Sequence, residues 1–235
     1  MKNIAIILFG GNSKRFKDSS LKQFYQINGR PLFSYTLEPF LKSNLIDFII
    51  VVCGAKYNKE YEKFLLNKKY YFVENGKERY DSVHNALLFL QNNSLAKDED
   101  NILIHDGARP LLEEKQILSL IEALNEYKAA TLAIKEEDTI AKIVDGKIVE
   151  VPNRNEYVRI QTPQAFKFKT IYEAHQNNNH FVSDDAQLVL KLKEDVKIVE
   201  GSKKLNKITT IEDIKILEAN LKWINTKLMT LSKEQ

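Results

Sequence analysis

One cysteine, Cys53, stands in a chain of 235 residues, which excludes an internal disulfide and a thiol-rich zinc site. That usage fits a reducing compartment. No apolar run reaches the ~18 residues needed to span a bilayer. The short apolar run at the start of the chain has neither the h-region nor the small-residue cleavage site of a signal peptide, so it is read as a strand. Like charge is concentrated nowhere: 35 basic and 32 acidic residues are interspersed for a net charge of +3, without the basic stripe that grips nucleic acid. Internal repeats and low-complexity linkers are also missing. These absences predict a cytoplasmic protein with no nucleic-acid or membrane partner. What is present is an ordinary globular composition, 43% hydrophobic and 29% charged, in a length suited to one large domain rather than two. Residues 1–235 are therefore read as a single domain.

The apolar pattern alternates between two periods. Residues 3 to 8 form a continuous β-rich run closed by Gly10 and Gly11, as in a strand buried on both faces in the middle of a parallel sheet. Pro31 suits the first turn of a helix whose apolar pairs are Leu32/Phe33, Thr36/Leu37 and Phe40/Leu41, although Pro39 is awkward inside it. Further strands are expected at 46–52, 70–73, 101–105 and 130–134, with helices at 79–91 and about 114–127. This alternation predicts right-handed βαβ units and a Rossmann-like α/β fold with a mainly parallel sheet. At Asp138 the pattern changes. Two β-rich runs, 139–144 and 147–151, flank Asp145-Gly146, a strong hairpin signal. A hairpin that interrupts an α/β chain projects from its body, so a β-arm is expected at about 136–156. A last helix carries Ile214, Leu217, Leu221, Ile224 and Leu228 on one stripe, with Thr210 and Asp213 fitting a capping box at its start.

Several groups of residues carry possible chemistry. Gly10 and Gly11, with Arg15 and Lys22 downstream, suit a loop whose backbone amides and cations face phosphate oxygens. The loop is neither a Walker A loop nor a dinucleotide fingerprint, and a tight turn with two solvated cations explains it equally well. Gly76 allows close backbone approach to a ligand, and Ser82 can hydrogen-bond a base or ribose, but a helix start explains both more simply. Residues 105 to 110, His-Asp-Gly-Ala-Arg-Pro, close a buried strand at the end where open α/β sheets bind ligands. There Asp106 can organise Mg²⁺ and its waters, or belong merely to a turn. His105 is read as a structural, hydrogen-bonded histidine. Thr139, Arg154, Thr162, Ser183 and Lys207 each read singly as a cap, a turn residue or a solvated charge.

Taken in order, these motifs resemble the 2-C-methyl-D-erythritol 4-phosphate cytidylyltransferase family and, less closely, the ribitol-5-phosphate cytidylyltransferases. The resemblance runs over about residues 3 to 220. It rests on Gly10, Gly11, Arg15, Lys22 and Gln23; on Gly76, Arg79, Ser82 and Val83; and on residues 105 to 110. Arg154 stands seven residues before Gln161-Thr-Pro-Gln164, and Ser183-Asp184-Asp185 and Asn206-Lys207-Ile208-Thr209 complete the set. The chain departs from the family at Phe9, where alanine is usual, at Ser13 for a glycine, at Leu21 for a proline, at Lys77 for an acid and at Gly107 for an alanine.

The resemblance implies a single nucleotidyltransferase-type domain with the arm at about 136–156, transferring CMP from CTP to 2-C-methyl-D-erythritol 4-phosphate with Mg²⁺ and releasing pyrophosphate. Arg15, Lys22, Arg154 and Lys207 would be catalytic. Gly10, Gly11, Gly76, Ser82, Asp106, Gly107 and Ala108 would bind the nucleotide, with Asp106 also the metal ligand. Arg109, Thr139, Thr162 and Ser183 would bind the acceptor, Arg154 and Lys207 gripping its phosphate. The arm would embrace a second subunit, making a homodimer in which Thr139 and Arg154 act in the partner's site. The alternatives are ribitol 5-phosphate as acceptor, a different nucleoside triphosphate with a sugar phosphate, and an inactive nucleotide-binding regulator.

Overall fold

The computed structural model describes residues 1–11, 16, 21–65, 68–178, 182 and 184–231, with side chains described as far as residue 224. Arg15, Ser13 and Ser183 lie outside the described residues. The first strand, β1 (Asn3–Leu8), is followed by two two-residue strands, β2 (Gln26–Ile27) and β3 (Arg30–Pro31), and by helix α1 (Leu32–Lys42). Pro31 sits at the N-cap of α1 rather than within its first turn, and the helix runs through Pro39 to end one turn later. Next come β4 (Phe48–Cys53), the short α2 (Asn58–Glu62), β5 (Tyr70–Glu74), α3 (Arg79–Asn92) and β6 (Asn101–Asp106). Helix α4 (Glu114–Ala123) stops four residues short of the expected end, and β7 (Ala129–Lys135) follows.

The arm is β8 (Lys142–Val144) paired with β9 (Lys147–Glu150), a separate two-stranded sheet whose residues are all exposed. Its turn has φ +47° at Asp145 and +75° at Gly146, the positive values that a two-residue primed turn requires. The chain then forms a strand absent from the sequence reading, β10 (Val158–Lys167), followed by α5 (Phe168–Gln176), α6 (Asp185–Lys191), β11 (Val196–Glu200) and α7 (Ile211–Leu231).

Seven strands make the main sheet in the order β11-β7-β10-β6-β1-β4-β5. Neighbours pair in parallel except at β10, which runs antiparallel to both β6 and β7. The fold is thus α/β with a mainly parallel sheet, as the βαβ pattern predicts. Side chains alternate across β1. Ala5 and Ile7 join Phe33, Leu37, Ile117 and Leu120 on the α1/α4 face, whereas Ile4 and Ile6 join Val83, Leu87, Ile171 and Val189 on the α3/α5/α6 face. Both faces being covered is why the strand is apolar without alternation.

A third cluster holds Phe16, Ile27, Leu32, Tyr35, Ile208, Ile214 and Leu217. Burying Ile214 and Leu217 there contributes roughly 1.5–3 kcal/mol each. This anchors α7, and with it the segment just before the helix, to the start of α1. At the helix start Asp213 Oδ2 accepts from the backbone N–H groups of Thr209 and Thr210 at 2.7 and 2.8 Å.

Candidate active site

A cleft of about 390 Å³ opens at the carboxyl ends of β1, β5 and β6, the end at which parallel α/β sheets bind ligands. From β1 come Leu8 to Gly11, and from the following loop Lys22 and Gln23. Gly76 to Arg79 and Ser82 come from the start of α3, Asp106 to Ala108 from the end of β6, and Lys207 and Thr209 from the segment before α7. Of the site residues expected from sequence, Gly10, Gly11, Lys22, Gly76, Ser82, Asp106, Gly107, Ala108 and Lys207 all line this one cleft. Lys77 and Arg79 line it too. Arg79 shares the motif of Gly76 and Ser82, and its position as the first residue of α3, beside Gly76, is the signal that would have singled it out.

Asp106 is the electrostatic centre. Its Oδ1 accepts from Arg79 Nε at 2.9 Å and its Oδ2 from Lys207 Nζ at 2.7 Å, with Arg109 Nε 3.7 Å from Oδ2. Burial works to raise its pKa, but the charges of Arg79, Lys207 and Arg109 outweigh it and hold the carboxyl well below the usual carboxylate range. The other carboxylate on Arg79 is Asp185, whose Oδ2 lies 2.6 Å from Nη1. Burial opposes the charge of that guanidinium, yet the two flanking carboxylates raise its pKa above the ordinary arginine value.

The backbone under Asp106 is held by a directed chain of bonds. Asp106 N–H donates to Thr162 Oγ at 3.0 Å, and Thr162 Oγ contacts His105 Nδ1 at 3.1 Å while His105 Nε2 meets the Arg109 carbonyl at 2.9 Å. A carbonyl can only accept, so Nε2 carries the proton and Nδ1 accepts from the threonine. Burial lowers the His105 pKa to about 4, which keeps the ring neutral and structural. The next turn is pinned by Thr36 Oγ donating to the Gly107 carbonyl at 3.0 Å and by Ile208 N–H donating to the Ala108 carbonyl at 2.8 Å. The second of these bonds places Lys207 across from Asp106. Lys22 Nζ donates to the Ile208 carbonyl at 2.8 Å, so it is docked on the short segment that carries Lys207.

Other expected site residues are elsewhere. Thr162 is buried behind Asp106 with its hydroxyl engaged as above, so it supports the site from below and does not line the cleft. Arg109 lies beside it, donating from Nη1 to the Leu205 carbonyl at 3.1 Å, and does not line the cleft either. The Ser82 hydroxyl accepts from Gly76 N–H at 3.1 Å and donates to the Glu78 carbonyl at 3.0 Å. It therefore shapes the glycine turn as well as facing the cleft. Thr139 is exposed at the base of the arm, and Arg154, in a short 3-10 turn, donates to the Glu137 carbonyl at 2.7 Å. Neither belongs to the cleft lining of this chain.

Two of the departures from the family pattern compensate for each other. A Cβ added at Gly107 would come within 2.3 Å of the Phe9 ring and 2.5 Å of the Leu8 carbonyl oxygen. The Phe9 ring in turn stacks on Tyr61 at 4.8 Å and is fixed in the core. The Phe9 ring and the Leu8 backbone together thus leave no room for a side chain at 107. Gly107→Ala is expected to destabilise by about 1–3 kcal/mol through overpacking, and combining it with Phe9→Ala should give a loss smaller than the two single losses added together. Urea denaturation of the four proteins measures this coupling.

The comparisons with known proteins agree with one another. A family model described as 2-C-methyl-D-erythritol 4-phosphate cytidylyltransferase matches residues 3–223. A protein of that name from Clostridium beijerinckii is 41% identical over 230 residues, covering 94% of this chain and 98% of its own length. One from Thermosipho melanesiensis is 39% identical over 223 residues, covering 92% and 96%. The crystal structure of a 4-diphosphocytidyl-2C-methyl-D-erythritol synthase from Anaerococcus prevotii superposes with a TM-score of 0.81 at 31% identity, covering 94% of this chain and 98% of that one. With a family match over nearly the whole chain, close relatives of the same length and a shared fold, the chain belongs to the 2-C-methyl-D-erythritol 4-phosphate cytidylyltransferase family.

Proposed function

We propose that the cleft binds CTP and transfers CMP to 2-C-methyl-D-erythritol 4-phosphate, releasing pyrophosphate, in the non-mevalonate route to isoprenoid precursors. The observation that carries this reading is the docking of Lys22 on the segment that carries Lys207, beside glycine turns from three strand ends, all in a single cleft. An oxygen of the acceptor phosphate attacks the α-phosphorus of CTP, and the bond from that phosphorus to the oxygen bridging to the β-phosphate breaks. No protein nucleophile or base is needed, because the attacking phosphate is already ionised. The residues act by positioning and by charge. Lys22 and, besides its grip on the acceptor phosphate, Lys207 stabilise the negative charge that gathers on the equatorial oxygens and the leaving group, with Arg15 assigned the same role. The backbone at Gly10, Gly11, Gly76, Gly107 and Ala108 holds the nucleotide.

Magnesium enters as part of the substrate. Among the described residues no three acidic, histidine or cysteine side chains gather to enclose a metal, and Asp106 is the carboxylate that faces the cleft from β6. Its oxygens keep lone pairs beyond those met by Arg79 and Lys207. The donor set therefore fits a hydrated ion held mainly by phosphate oxygens, with Asp106 as one protein ligand. When bound, such an ion draws charge from the phosphates.

The arm is assigned to a homodimer. Ile143, Val144, Ile148, Val149 and Val151 are exposed on it, a strip that a second subunit would cover. Arg154 and Thr139 then reach the partner's acceptor site, with Arg109 and Thr162 acting through Asp106 and Ser183 as a further acceptor contact. No helix among the described residues is long and apolar enough to cross a membrane. The small phosphorylated substrates of the proposed reaction support a cytoplasmic location. Pyrophosphate release from CTP and Mg²⁺ with each polyol phosphate tests the assignment. Turnover with the methylerythritol phosphate, lost on chelation, is expected. Turnover with ribitol 5-phosphate alone, or tight CTP binding with no product from either acceptor, would replace it by one of the alternatives.

A further inference from the structure

From the cleft a chain of charged groups runs back into the protein, and the reaction as described leaves its inner members, Arg79, Asp185 and His175, unused. Arg79 is clamped from both sides: its Nε donates to Asp106 at 2.9 Å and its Nη1 to Asp185 at 2.6 Å. Asp185, the first residue of α6, is 1% exposed. Its second oxygen, Oδ1, lies 3.2 Å from Nε2 of His175 on α5, a ring that is itself fully buried. Burial favours the neutral acid, but Arg79 and His175 together hold Asp185 below the usual carboxylate range. An ionised carboxylate can only accept, so His175 Nε2 donates to it. The imidazole is packed in turn. Tyr80 stacks on it with ring centroids 4.7 Å apart and donates its hydroxyl to the His175 carbonyl at 2.8 Å.

The continuous line His175, Asp185, Arg79, Asp106, Lys207 joins α5, α6, α3 and β6 to the cation that faces the reacting phosphates. Arg79 Nη2 is buried and has no hydrogen-bond partner among the described residues, so the orientation of the guanidinium depends on its two carboxylates. With either carboxylate gone, the planar fork is free to tilt.

We propose that Asp185 is a positioning residue for nucleotidyl transfer, acting through Arg79 to hold Asp106 and Lys207 in register, and that His175 orients Asp185. This rests on the reading of the cleft as the transfer site. The nucleotide-binding backbone is tied by other bonds, Gly76 N–H to Ser82 Oγ and Thr36 Oγ to the Gly107 carbonyl. Loss of Asp185 is therefore felt in turnover more than in CTP binding.

The test is steady-state kinetics of wild type, Asp185→Asn, His175→Gln and His175→Leu, each corrected for folded fraction by circular dichroism. In Asp185→Asn, kcat is expected to fall on the order of 10–100-fold, as for a displacement of about an ångström in a reacting group. KM for CTP should stay within about threefold. Glutamine at 175 keeps a donor for Asp185 and retains turnover; leucine fills similar space without a donor and loses it. Wild-type kcat in Asp185→Asn, or equal losses in the two histidine variants that follow the folded fraction alone, overturns the assignment. An inactive wild type contradicts the transfer reading as well, whereas an active wild type matched by Asp185→Asn contradicts only this inference.

Discussion

Replacing Asp106 with asparagine should destabilise the protein by about 3 kcal/mol, the low end of the cost of breaking a buried ion pair, because Arg79 keeps Asp185 and Lys207 is partly exposed. Arg79, Lys207 and Arg109 all converge on this carboxylate, and an amide of the same shape can offer one of them a hydrogen bond but none of them a charge. Removal of one partner of a buried network costs more than the pair's net contribution, because the desolvation of the survivors is no longer compensated. The same group ties stability to acidity. Its folded pKa lies below the unfolded value, so its contribution is fully present above the unfolded carboxylate pKa near ~3.9 and is lost only as the pH falls through that range and below. Chemical denaturation of wild type and Asp106→Asn should therefore give a stability difference that is constant from neutral pH to about pH 5 and shrinks in stronger acid. A difference that grows on acidification would mean that the carboxylate is not held as described.

Lys22→Ala is expected to lower kcat by roughly 10²–10³-fold, the usual effect of removing one donor aimed at developing charge. Its structural cost is smaller. The residue is half-buried, and its ammonium donates to the Ile208 carbonyl, a charge-assisted bond whose loss removes about 1.5–3 kcal/mol. Measured at saturating substrates on protein shown to be folded, the loss should appear in kcat and kcat/KM together, because the interaction is made mainly in the transition state. A rise in KM for CTP with kcat unchanged would assign Lys22 to ground-state binding only.

Much of this site is legible in the sequence, for a physical reason. Strands β1, β4, β6 and β7 are buried on both faces and so appear as unbroken apolar runs, and the glycines and Asp106 sit where those runs stop. The arm is legible because a two-residue hairpin turn with two positive φ values favours Asp-Gly, and Asp145-Gly146 supplies it. Strand β10 is not legible. Gln161, Thr162, Pro163 and Gln164 are polar and interrupted by a proline, so no apolar run marks a strand there, yet they lie in the sheet between β6 and β7 with a register shift between Ile160 and Gln164. Apart from the Gln164 side-chain oxygen, which is buried with no hydrogen-bond partner among the described residues, their side chains bond to partners far away in sequence. Gln161 donates to the Ser202 carbonyl at 2.9 Å, Gln164 to Asp184 at 2.9 Å, and Thr162 meets Asp106. The line from His175 to Asp106 is hidden in the same way, since Arg79 and Asp185 are 106 positions apart. Residue type announces a charge, but not that it is buried against another. The paired departures at Phe9 and Gly107 look independent in the sequence and become one feature only when the ring is seen against the missing Cβ.

The nucleotide is assigned to the cleft among the three glycine turns, with Lys22 and Lys207 at its phosphates. A crystal structure with CTP and Mg²⁺ tests it most directly. Backbone contacts are expected from Gly10, Gly11, Gly76, Gly107 and Ala108, with both lysine ammoniums within hydrogen-bond distance of phosphate oxygens and the metal held by those oxygens with at most Asp106 from the protein. A nucleotide bound elsewhere, or bound in the cleft with its phosphates directed away from Lys22 and Lys207, would contradict it.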